Sequence, residues 1–173
     1  MQFLNPEQIL NQLDLKEDMM AADFGSGSGG WVIPLAKRLM TGRVYAIDIQ
    51  EEALQALKSK AEIEKLYNIK TIRADLEQDT GPFIQNGLLD LVLMSNLLFQ
   101  VKNKEKVISQ AGKVLRDGGK LLIIDWQPDA TLGPQGLRVK ASEIKALTEK
   151  LGFTLEKEIP AGVYHWALLF TKI

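Results

Sequence analysis

Met19-Met20-Ala21-Ala22-Asp23-Phe24-Gly25-Ser26-Gly27-Ser28-Gly29-Gly30 joins an apolar run to a glycine-rich turn, and helically spaced apolar residues follow at Trp31, Val32, Leu35 and Leu39. The run reads as a strand and the segment after the turn as a helix. Glycines in the link permit positive φ. They also leave main-chain N–H groups uncovered by side chains, so a ligand is expected to reach them. A strand–turn–helix of this kind is a cofactor-binding turn, and the residues around it decide which cofactor.

Outward from the turn, strand-like and helix-like segments alternate without an internal repeat or linker. The expected strands are Met19–Phe24, Arg43–Asp48, Ile69–Ala74, Leu88–Ser95 and Gly119–Trp126, each short, apolar and bounded by Gly, Asp or Asn. The expected helices are Gly30–Met40, Glu51–Tyr67, Lys102–Leu115 and Ser142–Leu151, with a short one near Pro6–Leu13. Lys102–Leu115 is expected to stop at a glycine-terminated end, Arg116-Asp117-Gly118-Gly119. Gly81–Asn86 is a weak helical segment, because Gly81 and Pro82 suit only a first turn.

Such alternation predicts an α/β fold, a doubly wound parallel sheet with helices on both faces. The last two strand-like runs, Phe153–Ile159 and Val163–Phe170, are separated only by Pro160-Ala161-Gly162. That link is too short for a parallel crossover, so the pair must be antiparallel. Five parallel strands and a closing hairpin, in one domain over residues 1–173, are therefore expected.

The bulk composition narrows the function classes. The 173 residues are 46% hydrophobic and 25% charged, with a net charge of −1, so no strong field favours nucleic acid or an anionic membrane. There is no cysteine, which excludes disulfides, thiolate metal sites and a cysteine nucleophile and fits a cytoplasmic protein. A single histidine and scattered acids suggest no metal site. Met1–Glu7 shows no signal-peptide pattern, and the apolar stretch Leu88–Phe99 is too short and too polar to span a bilayer.

Three acids stand at three expected strand ends: Asp23, Asp48 and Asp75, one strand–helix–strand unit apart. In an open α/β sheet the ligand lies beyond the carboxyl ends of the strands, so the three would line one crevice. Asp48 suits a ribose diol, Asp75 an exocyclic adenine amine, and Asp23 an ammonium group. No lysine or arginine in the turn offers itself to a phosphate. Asp48 and Asp75 each also have a plainer use as the cap of a following helix or turn.

On these residues the chain resembles the class I S-adenosylmethionine-dependent methyltransferases along nearly its whole length. Asp23-Phe-Gly25-Ser-Gly27-Ser-Gly29 is similar to the family's first motif, Tyr45-Ala46-Ile47-Asp48 to the second and Arg73-Ala74-Asp75-Leu76 to the third. Asp90-Leu91-Val92-Leu93-Met94-Ser95-Asn96 looks like the fourth-strand motif, and Leu115–Leu121 like the turn into the fifth strand, with Asp117 where proline is usual. Within the family the chain looks most like the ubiquinone/menaquinone-biosynthesis type of small-molecule methyltransferase.

The resemblance implies a Rossmann-like sheet of order 3-2-1-4-5-7-6 and S-adenosylmethionine as cofactor. It implies that Gly25, Ser26 and Gly27, in a motif that includes Gly29, contact the methionine part, with Asp23 near its amino group. It implies that Asp48 binds the ribose, that Ile49 packs on adenine, and that Asp75 and Leu76 recognise it. Ser95 and Asn96 would lie near the sulfonium.

The methyl acceptor is less legible. Asn96-Leu97-Leu98-Phe99 lacks the two prolines of enzymes that methylate amide or base nitrogens, which argues against a nucleobase amine or a glutamine amide; a small-molecule acceptor is expected, and nucleic acid is not. Phe99, Trp126, Arg138 and Tyr164 are candidate substrate contacts, with Arg138 or Lys140 for an anionic group, although a solvated charge is the plainer reading of both. His165 is the candidate base, with Tyr164 or Asp125 as substitutes, although a histidine packed in a strand is again plainer. Gly25-x-Gly27-x-x-Gly30 also satisfies a dinucleotide fingerprint, so a nicotinamide-dependent oxidoreductase remains open, as does a non-catalytic cofactor-binding scaffold.

Overall fold

The computed structural model describes residues 4–78 and 83–173. Seven strands form one sheet: β1 (Met20–Phe24), β2 (Arg43–Asp48), β3 (Ile69–Arg73), β4 (Leu89–Ser95), β5 (Leu115–Trp126), β6 (Phe153–Glu158) and β7 (His165–Lys172). Five helices accompany them: α1 (Pro6–Leu10), α2 (Val32–Arg38), α3 (Glu51–Ile63), α4 (Lys104–Val114) and α5 (Ala141–Lys150). Residues 81 and 82 of the weak helical segment lie outside the described residues, and 83–86 are not helical.

Strand order is β3-β2-β1-β4-β5-β7-β6, the doubly wound order expected from the sequence. β1 to β5 run parallel, β7 runs antiparallel to both of its neighbours, and β6 again follows the direction of β5. The order reverses between β1 and β4, which opens a crevice beyond their carboxyl ends.

Alternating side chains divide the core in two. Ala22, Phe24, Met94, Ile123, Trp166 and Phe170 pack on one face with Val107 and Ile108 of α4 and Ile144 of α5. Ala21, Leu93, Ile124 and Ala167 pack on the other with α1, α2 and Leu57 of α3. Near-continuous apolar strands are what two covered faces require.

The glycine-terminated helix end does not form. α4 stops at Val114, and Leu115 is already extended. Leu115 is fully buried and pairs with Leu89, while pairing resumes only at Leu91 and Lys120, so residues 116–119 bulge between. Gly118 takes φ +74 in that bulge, and Arg116 Nε donates to Asp90 Oδ1 at 2.7 Å. Burying Leu115 in the sheet outweighs extending the helix by one turn.

Candidate functional site

Gly25, Gly27 and Gly29 all have positive φ, as the sequence led us to expect. At Gly29 a Cβ would also stand 2.4 Å from Leu57 Cδ1, so helix α3 packs directly on the turn. Four N–H groups of that turn, those of Gly25, Ser26, Gly27 and Gly29, are not open, however. Gly25 and Ser26 donate to the Ile47 carbonyl at 2.8 and 3.0 Å, and Gly29 donates to the Ser26 carbonyl at 3.1 Å. Gly27 donates to Asp48 Oδ2 at 2.8 Å. Most of the expected row of free donors is therefore used inside the protein, which bends the turn over the end of β2.

Beside this turn lies a cleft of about 400 Å³, lined by Gly25, Gly27, Asp48, Ile49, Gln50, Ala74, Asp75, Leu76, Glu77, Asn96, Leu97, Gln100 and Val101. Its lining holds three carboxylates and no lysine or arginine. Lys60 does reach the turn, a contact the sequence did not suggest, but its Nζ donates to the Ser28 carbonyl and hydroxyl and does not line the cleft. A polyanionic ligand has no partner here; a cationic one has several.

Each acid serves the backbone while keeping acceptor capacity. Asp48 Oδ1 accepts from Gln50 N–H at 2.9 Å and Oδ2 from Gly27, which leaves lone pairs on both oxygens. Asp75 Oδ1 accepts from Glu77 N–H at 2.9 Å. Thus the capping role and an open ligand face coexist. Ile49 is 55% exposed on the cleft wall, an apolar plate beside two acids. Gln50, Glu77, Leu97, Gln100 and Val101 were not anticipated, although Gln100 follows Asn96 by four residues and its side-chain amide donates to the Asn96 carbonyl.

Asp23 does not line the cleft. It is 1% exposed, neither carboxylate oxygen has a partner, and burial followed by repulsion from Asp48 pushes its pKa well above the usual carboxylate range. Ser95 Oγ and Asn96 Oδ1 are likewise buried without partners, and Asn96 holds φ +53. Orphaned buried polar atoms are uncommon in finished proteins and concentrate where a ligand completes the site.

Further along the same sheet edge, Trp126 pairs with His165 across β5 and β7. The imidazole packs on the indole at 4.1 Å between ring centroids, tilted by 38°. Both ring nitrogens of His165 are buried without partners, and burial, aided by the Arg138 charge, holds its pKa below the ordinary value. The imidazole is neutral at pH 7 and able to accept a proton. Tyr164 is buried, and its carbonyl accepts from Gln127 N–H at 2.8 Å. None of Phe99, Trp126, Tyr164 and His165 lines the cleft beside the glycine turn.

Arg138 is used otherwise than the sequence implied. Its Nη1 donates to the Gln127 and Ala130 carbonyls and its Nη2 to those of Leu132 and Pro134, at 2.7 to 3.1 Å. The guanidinium also lies 5.7 Å from the Trp126 ring centroid. It is neither a solvated charge nor a free clamp for an anion. It ties residues 127–138 into a knot over Trp126, where a Cβ on Gly133 would come within 2.5 Å of the indole.

A second cavity, about 300 Å³, lies at the opposite sheet edge between Lys16, Asp90 and Lys120. Its Arg116 and Lys120 are paired with Asp90 and Glu156. Among the described residues, no group of three or more His, Asp or Glu side chains could hold a metal ion. Nor is any helix among them long and apolar enough to cross a membrane.

The sequence profile of the methyltransferase domain matches residues 21–119, from β1 to the bulge near the start of β5. This chain belongs to the methyltransferase domain family. Over 99% of its length it superimposes on 91% of a SAM-dependent methyltransferase from Aquifex aeolicus, with TM-score 0.88 and 25% identity. A type 11 methyltransferase structure from Sulfolobus solfataricus gives TM-score 0.80 at 26% identity, covering 99% of this chain and 94% of that one. The demethylmenaquinone methyltransferase of Staphylococcus aureus is 27% identical over 120 residues, 69% of this chain and 48% of that protein. The chain spans at most about half the length of the curated relatives it matches.

It is thus an S-adenosylmethionine-dependent methyltransferase domain, and the cleft fits the cofactor. A ligand with an ammonium, a sulfonium, a vicinal diol and an amine suits three lining carboxylates, no lining cation, and the orphaned amide oxygen of Asn96 in the wall; Asp23 and Ser95, whose oxygens are also orphaned, do not themselves line the cleft.

Proposed function

We propose that the domain methylates a small, uncharged acceptor, in the manner of the ubiquinone/menaquinone-type enzymes, with cofactor and acceptor side by side along the carboxyl edge of the sheet. The observation that carries this reading is the acid-lined, cation-free cleft next to a turn in which the N–H groups of Gly25, Ser26, Gly27 and Gly29 are already paired. A nicotinamide dinucleotide would require those donors for its pyrophosphate.

In this reading the spare lone pairs of Asp48 take the ribose hydroxyls. Asp75 and the backbone of Leu76 recognise adenine, and Ile49 covers its ring. Gly25, Ser26, Gly27 and Gly29 shape the wall for the methionine part, and Asp23 faces its ammonium. Ser95 and Asn96 stand beside the sulfonium. S-adenosylmethionine supplies a methyl group already activated by positive sulfur.

The protein's contribution is then alignment and proton handling. Strand alternation puts Asp23, Ser95, Trp126 and His165 on one face of the sheet, across the adjacent strands β1, β4, β5 and β7. The acceptor would lie over the β5–β7 end of that row, against Trp126, Tyr164 and Phe99. Neutral His165 takes the proton of a hydroxyl acceptor at a ring nitrogen. With all four Nη protons of Arg138 committed to carbonyls, an uncharged acceptor is favoured over an anionic one.

Calorimetric titration with S-adenosylhomocysteine tests the cofactor half. Binding by the wild type and a loss of about tenfold or more in Asp48→Ala are expected, since two or more charge-assisted hydrogen bonds disappear. No binding by the wild type would sink the cofactor site, and equal affinities would sink the role of Asp48. Labelled-methyl transfer into fractionated cell extract tests the other half. His165→Ala should lower transfer by about a hundredfold or more with cofactor affinity unchanged; full activity in that variant excludes the base.

A further inference from the structure

We infer that Asp125 is a positioning residue, whose buried carboxylate holds the segment after β4 in the shape that makes one wall of the cofactor cleft. The inference rests on reading that cleft as the cofactor site. Asp125 is fully buried near the end of β5 and pairs with Trp166 of β7. By alternation it belongs to the opposite face from Trp126 and His165, so it stands behind the acceptor row and does not act on the acceptor as a base.

What it faces is backbone. Oδ2 accepts from Phe99 N–H at 3.1 Å, Oδ1 from Trp126 N–H at 2.8 Å, and the Leu98 N–H also stabilises the charged form. Phe99, assigned above to the acceptor wall, is thus held through its own main chain. Residues 96–101 contribute Asn96, Leu97, Gln100 and Val101 to the cleft. Leu97 presses on the glycine turn so closely that a Cβ on Gly25 would lie 2.9 Å from Leu97 Cδ1. One carboxylate therefore connects β5, and with it the Trp126–His165 stack, to the cofactor wall.

Of the charged or titratable groups on neighbouring elements, Lys104 at the start of α4 acts on the Asp125 carboxylate, while His165 at the start of β7 and Arg138 in the loop after β5 stand against Trp126. Lys104 favours the carboxylate form, as do the N–H donors, but burial outweighs them and leaves the pKa at about 6. The clamp is charged at neutral pH and loses its charge in mild acid.

The test is the affinity for S-adenosylhomocysteine, by calorimetry, of wild type and Asp125→Asn between pH 5 and pH 8. An amide offers one acceptor where the carboxylate offers two, and its NH₂ faces donors. The variant should bind about tenfold more weakly at pH 8, and the ratio should close toward one near pH 5, where the wild type is itself neutral. A ratio near one at pH 8, or one that does not change with pH, overturns the inference. Lys104→Met provides a second measure should Asp125→Asn fail to fold. It should move the wild-type pH dependence to higher pH, and an unmoved profile also overturns the proposal. If the wild type binds no S-adenosylhomocysteine at any pH, the reading of the cleft falls, and this inference with it.

Discussion

Asp23 is under tension: a carboxyl with two unpartnered oxygens in a fully buried place, beside a second acid. Asp23→Asn removes the cost of charging it and keeps its shape. Because its folded pKa is raised, the free protein loses stability as pH climbs from the ordinary carboxylate range through that higher value. The asparagine variant should therefore melt higher than wild type at pH 8, by roughly 2 to 4 °C for each kcal/mol relieved, and the advantage should shrink at low pH. A lower melting point at pH 8 would contradict the account. The same substitution should weaken cofactor binding, the usual trade at a functional site. At this scale the sequence was readable where an acid stands at a strand end, as with Asp48 and Asp75. It was not readable where the partner is main chain: any residue at position 47 would bring the carbonyl that takes the Gly25 and Ser26 donors.

At the scale of elements, the alternation of strands and helices gave the parallel sheet and the short link at Pro160-Ala161-Gly162 the antiparallel pair, while the strand order came from the family resemblance. The bulge at 116–119 was hidden, because its cause is a long-range pairing of Leu115 with Leu89. The loop after β5 was hidden for a related reason, since the four acceptors of Arg138 are carbonyls, which no sequence pattern marks. That loop owes its form to one side chain. Arg138→Ala should leave the sheet intact yet speed chymotrypsin cleavage at exposed Leu132 and Leu137 by about tenfold or more, with a change in Tm under roughly 3 °C. Arg138→Lys should not restore protection, because a single ammonium cannot reproduce a planar fork that serves four acceptors. Unchanged cleavage in the alanine variant would mean the knot holds without it.

For the whole molecule, the functional edge is asymmetric. Acid-lined space lies over β3, β2, β1 and β4, and an aromatic–imidazole stack lies over β5 and β7, with Asp125 joining the two halves from behind. β7 is the last strand in the sequence yet occupies an interior place, between β5 and β6. Until residues 165–172 leave the ribosome, β5 and β6 each present an open edge, and Phe170 is missing from the core it completes. β7 therefore enters by insertion: the parallel strands made before it must wait, gap open, for their wedge. Ribosome-stalled chains ending before β7 should remain protease-sensitive and bind chaperones, while chains with β7 fully emerged should not. Protection of the shorter chains would show that the parallel half closes without it.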